Sequence, residues 1–419
     1  LILNGESLRY KLRSESFGEM RLLVGFLAVA LPCALAFTWT GGLQSTERLP
    51  GTGRAWHRWR TRCRSETVGD FMRAEVEAQR CSEGLAGVLA TLAGGCAEVS
   101  RELRTPATSS ENQDLEDEAA AIFEAAVARD GRVACLSTSS RGEKTAGSQA
   151  LGEGGEGGAQ LYSVVLSPLA LGGELGEACI GSGTVFGVYE KGAAEEEEEE
   201  EETTGAFLAP GSDLLAAGYA MYSSSTILVL ALRTGGSPAS PASPVNGSSV
   251  NGFALDPTTG SFKRAFPDMV IPARGKLYSV DDGIRASRWP RGLASWIDAV
   301  RAGEGATSEA YSSRFIGSTV LDVHRTLLYG GLYASPFAGS EKGEGSEAGV
   351  SLLHVAAPLA MILEAAKGAA VTGSKATTKA PFERVLCVSP KRPDERCSLY
   401  LGSPEDVAEL EAFLERDGR

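Results

Sequence analysis

The sequence lacks an excess of basic residues and lacks paired cysteine motifs. Its 419 residues include 54 Asp and Glu against 40 Lys and Arg, which gives a net charge of −14. A nucleic-acid partner is therefore not expected, because phosphate backbones bind basic surfaces. No two of the eight cysteines have C-x-x-C spacing, so no zinc site or disulfide framework can be read from them. The hydrophobic share of 43% is ordinary for a globular protein, and the length allows two domains or two halves of one.

A natural start is also absent, because residue 1 is Leu and the first methionine is Met20. From Met20 the chain has a basic residue, Arg21, then an apolar run and small residues before a cleavage point after Ala36. This pattern predicts a signal peptide over residues 20–36 and is too short for an ordinary membrane-spanning helix. We expect residues 1–19 to be a non-native leader.

The next segment, residues 37–64, is rich in Arg and Thr and contains Glu47 as its single acid. Such acid-poor, Arg-rich composition is typical of transit peptides. Together the two segments predict import into a secondary plastid. The alternative is secretion, with residues 37–64 as a linker. In either case the mature form is expected to have no membrane partner.

The segment Ser313 to Gly331, SRFIGSTVLDVHRTLLYGG, predicts a buried helix. Val320, Val323 and Leu327 recur at helical spacing. Ser318 is expected to cap the first turn with its hydroxyl, and Gly330 with the following glycine is expected to stop the helix.

Periodicity and turn residues predict the other elements. Helices are expected in three segments: Thr67–Arg104 (one or two helices), Asp114–Arg129 and Pro404–Arg416. Strands are expected at Val133–Leu136, Leu161–Leu166, Thr184–Tyr189, Thr226–Leu232, Val385–Val388 and Ser398–Leu401.

Three segments are predicted to be poorly ordered interruptions. Residues 141–158 are rich in Gly and Glu, and Glu195–Glu202 is an unbroken run of eight acids. Glutamates this close together repel each other and stay solvated, which predicts disorder. The alternative interpretation is a regulatory or partner-binding loop. Residues 235–252 form a Ser, Pro and Gly linker that marks a boundary between two halves.

The chain resembles the plastid type of the class I fructose-1,6-bisphosphatase family. The resemblance rests on the SRFIGSTVLDVHRTLLYGG segment and on four others in consistent order: APGSDLLAAGYAMYSSSTILVLAL, FALDPTTGSF, SLLHVAAPLAMILEAAKGAAVTG and LYLGSPEDVAELEAFL. It implies an α/β fold, a layered α-β-α-β-α sandwich of two halves. Residues 65–234 would form the metal and phosphate half, and residues 253–419 the sugar-phosphate half. It also implies a dimer or tetramer.

The family reaction is hydrolysis of the 1-phosphate of fructose 1,6-bisphosphate, with magnesium held by carboxylates. The family motif Asp-Pro-Leu-Asp-Gly-Ser-Ser is matched here by SPLALGG, so Ser167 and Ala170 stand where the two acids are expected. The family's Ser-Glu-Glu is matched by Ser137-Thr138-Ser139, which removes two more acids. Glu116, in place of an aspartate, is the one retained catalytic carboxylate that the resemblance places. Glu174 and Glu177 are the nearby acids that could substitute.

The sugar-binding side departs from the family in the same way. The Asn-Glu-Gly-Tyr segment is replaced by residues 281–284, a tyrosine by Ser335, and Lys-Leu-Arg-Leu-Leu-Tyr-Glu by residues 349–355. Arg314, which in the family crosses a subunit interface to the 6-phosphate, remains and is the candidate substrate-binding residue. Near Ser82 to Ala86 the nucleotide-inhibitor site has its tyrosine, Tyr162, but has Leu161 in place of the lysine. The acidic loop has no cysteine, so the redox switch of plastid members is also expected to be absent.

Several other residues could suggest chemistry. His324 is interpreted as a structural histidine, and His354 replaces a family tyrosine without a Cys or His partner nearby in sequence. The GSGTVFG segment lacks the lysine of a phosphate loop and is interpreted as a turn into a strand.

Two functions remain open. One is a degenerate family member with no metal site, acting as a structural or regulatory subunit in a homo-oligomer or in a hetero-oligomer with an active member. The other is an active sugar bisphosphatase with a rearranged site and Mg²⁺ as cofactor. In either case a sugar phosphate is a candidate ligand. The loss of most metal and phosphate ligands, with the apolar frame kept, favours the first.

Overall fold

The computed structural model describes residues 65–104, 112–139, 147–150, 162–170, 180–190, 208–233, 248–284, 289–336, 349–373 and 382–417. The predicted leader, signal and transit segments lie outside these residues, as do Glu195–Glu202, Leu161, Glu174 and Glu177.

Local sequence signals set where the first two helices begin. Thr67 Oγ1 accepts the N–H of Asp70 at 3.1 Å, and Asp70 Oδ2 accepts the N–H of Thr67 at 3.0 Å, which forms a capping box. Ser82 Oγ accepts the N–H of Leu85 at 3.1 Å and caps the next helix. The described helices are α1 (Val68–Glu77), α2 (Glu83–Glu102), α3 (Asn112–Asp130), α4 (Arg291–Ala302), α5 (Thr319–Tyr329), α6 (Ala357–Ala365) and α7 (Pro404–Asp417).

Within the described residues, the first sheet has eight strands in the order β2-β1-β3-β4-β5-β6-β7-β8. Neighbours are antiparallel except β1 and β3, which are parallel. The strands are β1 (Val133–Thr138), β2 (Gly147–Ala150), β3 (Tyr162–Ser167), β4 (Ser182–Glu190), β5 (Ala216–Tyr222), β6 (Thr226–Leu232), β7 (Ser249–Asp256) and β8 (Ser261–Phe266).

In the described part of the chain, the second sheet has six strands in the order β10-β9-β11-β16-β13-β14, and β12 pairs with β15 separately. The strands are β9 (Leu277–Ser279), β10 (Ser312–Ser313), β11 (Leu332–Ser335), β12 (Val350–Ser351), β13 (Ala369–Thr372), β14 (Glu383–Arg384), β15 (Arg396–Cys397) and β16 (Leu399–Gly402). A π-helical turn, Leu352–Ala356, leads from β12 into α6.

Strand alternation divides the core into layers. In β6, Ile227, Val229 and Ala231 pack against α5 and α6, whereas the intervening leucines pack against α1, α2 and α3. In β16, Leu399 and Leu401 face the same middle helices, and Tyr400 faces the cluster that contains α4 and α7. Helices α5 and α6 therefore lie between the two sheets, which confirms the predicted α-β-α-β-α sandwich.

Helix α5 lies where the sequence predicted it, but its N-terminus is capped differently. The hydroxyl of Ser318 makes no capping hydrogen bond and is buried without a partner. The carboxylate of Asp322 instead accepts the N–H groups of Ile316 and Gly317 at 3.1–3.2 Å. The predicted C-terminal stop is confirmed, since Gly330 has a φ of 75°.

Several predicted bounds were wrong. Residues 385–387 form a 3₁₀ turn rather than a strand, and the strand β14 comes just before them. Within the predicted loop 141–158, residues 147–150 form β2, antiparallel to β1. Residues 249–252 of the predicted linker belong to β7, which pairs with β6, so the first sheet continues past this segment. The division into two halves at residues 235–252 stays a prediction.

Candidate active site

The candidate site lies at the edge of the first sheet where β1 and β3 both end. These strands are parallel, and Thr138 is paired with Leu166, so their C-terminal ends meet. The N–H of Ser139 donates to the carbonyl oxygen of Leu166 at 2.9 Å. The Ser139 hydroxyl then donates to Ser167 Oγ at 2.9 Å. The structure therefore brings together two residues that the sequence analysis placed at metal-ligand positions.

The turn after β3 is fixed by short hydrogen bonds. The N–H of Ala170 donates to the carbonyl oxygen of Gly183 at 2.6 Å, and Thr184 Oγ1 donates to the carbonyl oxygen of Pro168 at 2.6 Å. The side chain of Ala170 is 2% exposed and belongs to the middle apolar layer. This motif position carries a buried methyl group.

His354 fills the space beside these strand ends. It lies in the π-helical turn before α6, which contacts β3 and β4. Its Nε2 is 2.8 Å from Ser137 Oγ, and its Nδ1 is 3.0 Å from Ser351 Oγ. Burial lowers the pKa of His354 to about 4, so the imidazole is neutral at neutral pH. The next residue, Val355, is 8% exposed.

These groups form what we call the serine–histidine cluster: Ser137, Ser139, Ser167, Ser351 and His354. All five side chains are neutral at neutral pH and are hydrogen-bonded to one another in two groups. In the part of the chain that the structure describes, no group of three or more His, Cys, Asp or Glu could hold a metal ion. A serine beside a histidine can act as a nucleophile, but both Ser137 and His354 are 1% exposed, which closes them to substrate.

Glu116 lies on the buried side of α3. It is 9% exposed and comes one turn before Ala119, which packs in the outer helical layer. Glu116 is therefore a nearly buried carboxylate on the helical layer that covers the first sheet.

Arg314 lies on a different layer, just after the edge strand β10. Its N–H donates to the carbonyl oxygen of Tyr278 at 2.9 Å, and its guanidinium donates to the carbonyl oxygen of Ser313 at 2.8 Å. The side chain is exposed, and two exposed hydrophobic residues follow it, Phe315 and Ile316, at 45% and 37% exposure. Among the described residues, no hydrogen bond joins Arg314 to the serine–histidine cluster. The two candidate site residues, Glu116 and Arg314, therefore lie on separate layers.

The remaining sugar-side positions are close to the ends of β9 and β11. Asp281 Oδ1 accepts the N–H of Gly283 at 2.8 Å, and its carbonyl oxygen accepts from Trp289 Nε1 at 3.1 Å. Ser335 is the last residue of β11 and is half-buried. These residues are used in local turn structure.

Two other candidates have structural roles. His324 is buried, its Nδ1 is 2.8 Å from the hydroxyl of Tyr219, and burial lowers its pKa to about 4. Tyr162 OH is 2.8 Å from the capping Ser82 Oγ, and a Cβ on Gly84 would lie 2.8 Å from that phenol oxygen. The Tyr162 ring therefore packs directly on the first turn of α2.

Sequence reasoning missed the bonding of His354. One local signal could have predicted part of it, namely the serine three residues before the histidine. Ser351 Oγ accepts the N–H of His354 at 3.2 Å, as a capping residue does at the start of a helix. No sequence signal indicated Ser137, because its contact spans 217 positions.

Comparison with known proteins gives a consistent set of matches. Two family models match, "Fructose-1-6-bisphosphatase, N-terminal domain" over residues 107–266 and "Fructose-1-6-bisphosphatase, C-terminal domain" over residues 271–415. A class 1 fructose-1,6-bisphosphatase of Sorangium cellulosum is 38% identical over 253 residues, 60% of this chain and 64% of the relative. A cytosolic fructose-1,6-bisphosphatase of Brassica napus is 35% identical over 252 residues, with the same coverage. The chain thus spans about 64% of the length of these relatives.

Solved structures agree in fold. The apo form of fructose-1,6-bisphosphatase from Leishmania major matches with a TM-score of 0.67 and 26% identity, over 84% of this chain and 99% of that chain. The T-state structure of the same enzyme matches with a TM-score of 0.67, over 84% and 98%.

Proposed function

This chain belongs to the fructose-1,6-bisphosphatase family, and we propose that it is a catalytically degenerate member that acts as a structural or regulatory subunit. The observation that carries the proposal is the hydrogen bond between the hydroxyls of Ser139 and Ser167. By resemblance, both positions hold metal-binding carboxylates in active members. Here they are neutral groups that satisfy each other.

Family members use Mg²⁺ when active, and the residues present do not fit this ion. Mg²⁺ binds carboxylate, phosphate and water oxygens in near-octahedral geometry. Ala170 and Val355 offer no side-chain oxygen, and the neutral imidazole of His354 is a poor ligand for a hard cation. No catalytic step through a metal can be derived from these residues.

The chemistry of the reaction supports the same conclusion. Phosphate monoesters hydrolyse so slowly in water that enzymes supply rate enhancements of up to about 10²¹. Glu116 alone cannot hold two or more ions, and Arg314 alone adds only ground-state binding of a phosphate. The serine–histidine cluster therefore lacks charged groups that could stabilise the transition state.

The alternative is an active sugar bisphosphatase with a rearranged site. Its support is Glu116, a nearly buried carboxylate, together with the exposed guanidinium of Arg314. Glu174 and Glu177 would complete a new metal site in this alternative.

The deciding experiment measures phosphate release from fructose 1,6-bisphosphate by the purified full chain with Mg²⁺. We expect no Mg²⁺-dependent release above a protein-free control, with an active family member assayed in parallel. A turnover close to that of the active member would overturn the proposal and favour the rearranged site. In that case Glu116→Gln should abolish the turnover.

A restored variant sharpens this test. It carries Thr138→Glu, Ser139→Glu, Ser167→Asp, Ala170→Asp and Val355→Glu. Its control carries Gln or Asn at the same five positions, which keeps size and polarity but removes charge. We expect Mg²⁺ binding in calorimetry for the carboxylate set alone, and little turnover, because residues 171–173 lack the hydroxyls of the family's Gly-Ser-Ser. Equal Mg²⁺ binding by wild type would contradict the loss of the metal site.

Assembly with another subunit is part of the proposed role. Phe315 and Ile316 are consecutive exposed hydrophobic residues, and Ile180 is a third, at 38% exposure. Gly181, beside Ile180, lies against Leu321 of α5, so these residues flank the N-terminus of that helix. Exposed apolar surface of this kind supports a homo-oligomer or a hetero-oligomer with an active member. Sedimentation of wild type against Phe315→Ser tests this, and an unchanged mass would contradict the assignment of the surface.

The proposed location is a plastid, reached through the signal peptide at residues 20–36 and the transit-like segment at residues 37–64. Among the residues that the structure describes, no helix has the length and apolarity needed to cross a membrane.

A further inference from the structure

Arg233 is a buried guanidinium without a hydrogen-bond partner. It directly follows β6 and is 7% exposed. None of its three side-chain nitrogens has an acceptor in the described part of the chain. A guanidinium carries five N–H donors, stays charged in proteins and is strongly disfavoured in an interior without acceptors. The side chain therefore indicates a place where an acceptor group binds.

A second buried donor lies on the same side of the sheet. The N–H of Arg233 donates to the carbonyl oxygen of Leu215 at 3.1 Å, and the N–H of Leu215 donates to the carbonyl oxygen of Val188 at 2.9 Å. The ends of β4, β5 and β6 therefore lie side by side. Tyr189 follows Val188, is 2% exposed, and has a buried hydroxyl without a partner. Tyr189 packs in the middle layer, and Arg233 takes the same side by alternation with Ala231.

The carboxylates near Arg233 are hydrogen-bonded to other side chains. Glu364 is bonded to Arg384 through Oε1 and Oε2, at 3.0 Å and 2.8 Å from Nε. Asp213 Oδ1 accepts from the Ser212 hydroxyl at 3.1 Å. Burial lowers the pKa of Arg233; Asp213 and Glu364 oppose this shift, and Arg384 adds to it. The two acids act on Arg233 at a distance, without a hydrogen bond.

We propose that Arg233 and Tyr189 form an internal binding site for a small oxyanion of the phosphate type. The two unpartnered side chains offer N–H and O–H donors, so the ligand must supply acceptor oxygens. The planar guanidinium fork matches two oxygens of an oxyanion. Arg233 and Arg384 together exclude a cation. Because protein atoms cover each nitrogen, the ligand is small and enclosed.

The test uses inorganic phosphate and the full chain. Thermal unfolding is followed as phosphate is added, with sodium chloride at equal ionic strength as reference. We expect the Tm of wild type to rise by about 3 °C or more, because a ligand that binds only the folded state stabilises it by mass action. Arg233→Met should lose this rise. Arg301→Met is the matched control, since it removes an exposed arginine of α4 and should keep the rise.

A second variant and a calorimetric measurement distinguish the loss of the binding site from misfolding of the variant. Arg233→Lys keeps the charge but not the fork, and we expect about a tenfold weaker phosphate affinity in calorimetry. Without phosphate, Arg233→Met should be at least as stable as wild type, since an unpaired buried charge has been removed. An equal phosphate response in wild type and Arg233→Met, no response in either, or loss of the response only in Arg301→Met would overturn the proposal.

Discussion

Acid should destabilise this protein through His354 before most carboxylates are protonated. The imidazole is 1% exposed, and burial is the cause that lowers its pKa to about 4, against about 6.5 for a free side chain. Between these pH values the unfolded chain binds a proton that the folded chain does not. Stability therefore falls as pH falls through this window and is fully present above about pH 6.5.

The size of the stability loss follows from the difference between the folded and unfolded pKa values of His354. A difference of about 2.5 pH units at about 1.4 kcal/mol each gives a loss of about 3 kcal/mol between pH 7 and pH 4. The hydrogen bonds do not compensate, because the hydroxyls of Ser137 and Ser351 can accept from a charged imidazole but supply no negative charge. His324 has the same lowered pKa and should contribute a similar loss.

The assay is urea unfolding of the full chain at pH 7.5, 6.0, 5.0 and 4.0, compared with His354→Gln, with His324→Gln and with the double variant. Each variant should be less dependent on pH by about 3 kcal/mol across the full window, and the double variant by about twice that. Comparison between variants cancels the titration of the acids. If His354→Gln kept the full pH dependence of wild type, the imidazole would have to be charged in the folded state, and the description of a neutral site would be wrong.

Three further predictions concern stability and location. Asp406→Ala should lower the free energy of unfolding by about 3–5 kcal/mol, because this buried carboxylate accepts from the N–H of Gly275 and the hydroxyl of Tyr311, both at 2.8 Å; an unchanged urea midpoint would contradict this. Gly331→Ala should prevent stable folding, since its φ is 101° and a Cβ would lie 2.1 Å from a carbonyl oxygen of β9; a wild-type melting curve would argue against it. Residues 20–64 fused to a fluorescent protein should direct it into a secondary plastid, and signal in the cytosol or the medium would count against plastid import.

The fold was largely predictable because its signals are local. The apolar spacing of Val320, Val323 and Leu327 located α5, and the β-branched run at residues 226–232 located β6 with its bounds. The cap of α5 was not predictable, because the acceptor is a carboxylate inside the helix and not the preceding hydroxyl of Ser318. The strand β2 was missed because its pairing with β1 is a tertiary interaction in a Gly-rich sequence.

The sequence located the motif residues along the chain, but it did not indicate their hydrogen bonds. The frame of the SPLALGG motif placed Ser167 and Ala170, and the parallel pairing of β1 with β3 brought Ser139 to Ser167. The sequence could not show that Ser137 pairs with His354, because contacts between distant segments depend on how the π-helical turn packs on the sheet. The separation of Glu116 from Arg314 likewise follows from the layering.

The closed serine–histidine cluster also restricts the order in which carboxylates can be introduced into it. A single change such as Val355→Glu would place one carboxylate in a position that is 8% exposed, where it would lack both a cation and a charged partner. In the presence of Mg²⁺, several carboxylates together would supply the charge needed to retain the ion, and the bound ion would offset their mutual repulsion, so the combined set is then tolerated better than its members. Under the proposed degenerate function, carboxylates introduced one at a time pass through destabilised intermediates, because the surrounding packing accommodates neutral side chains.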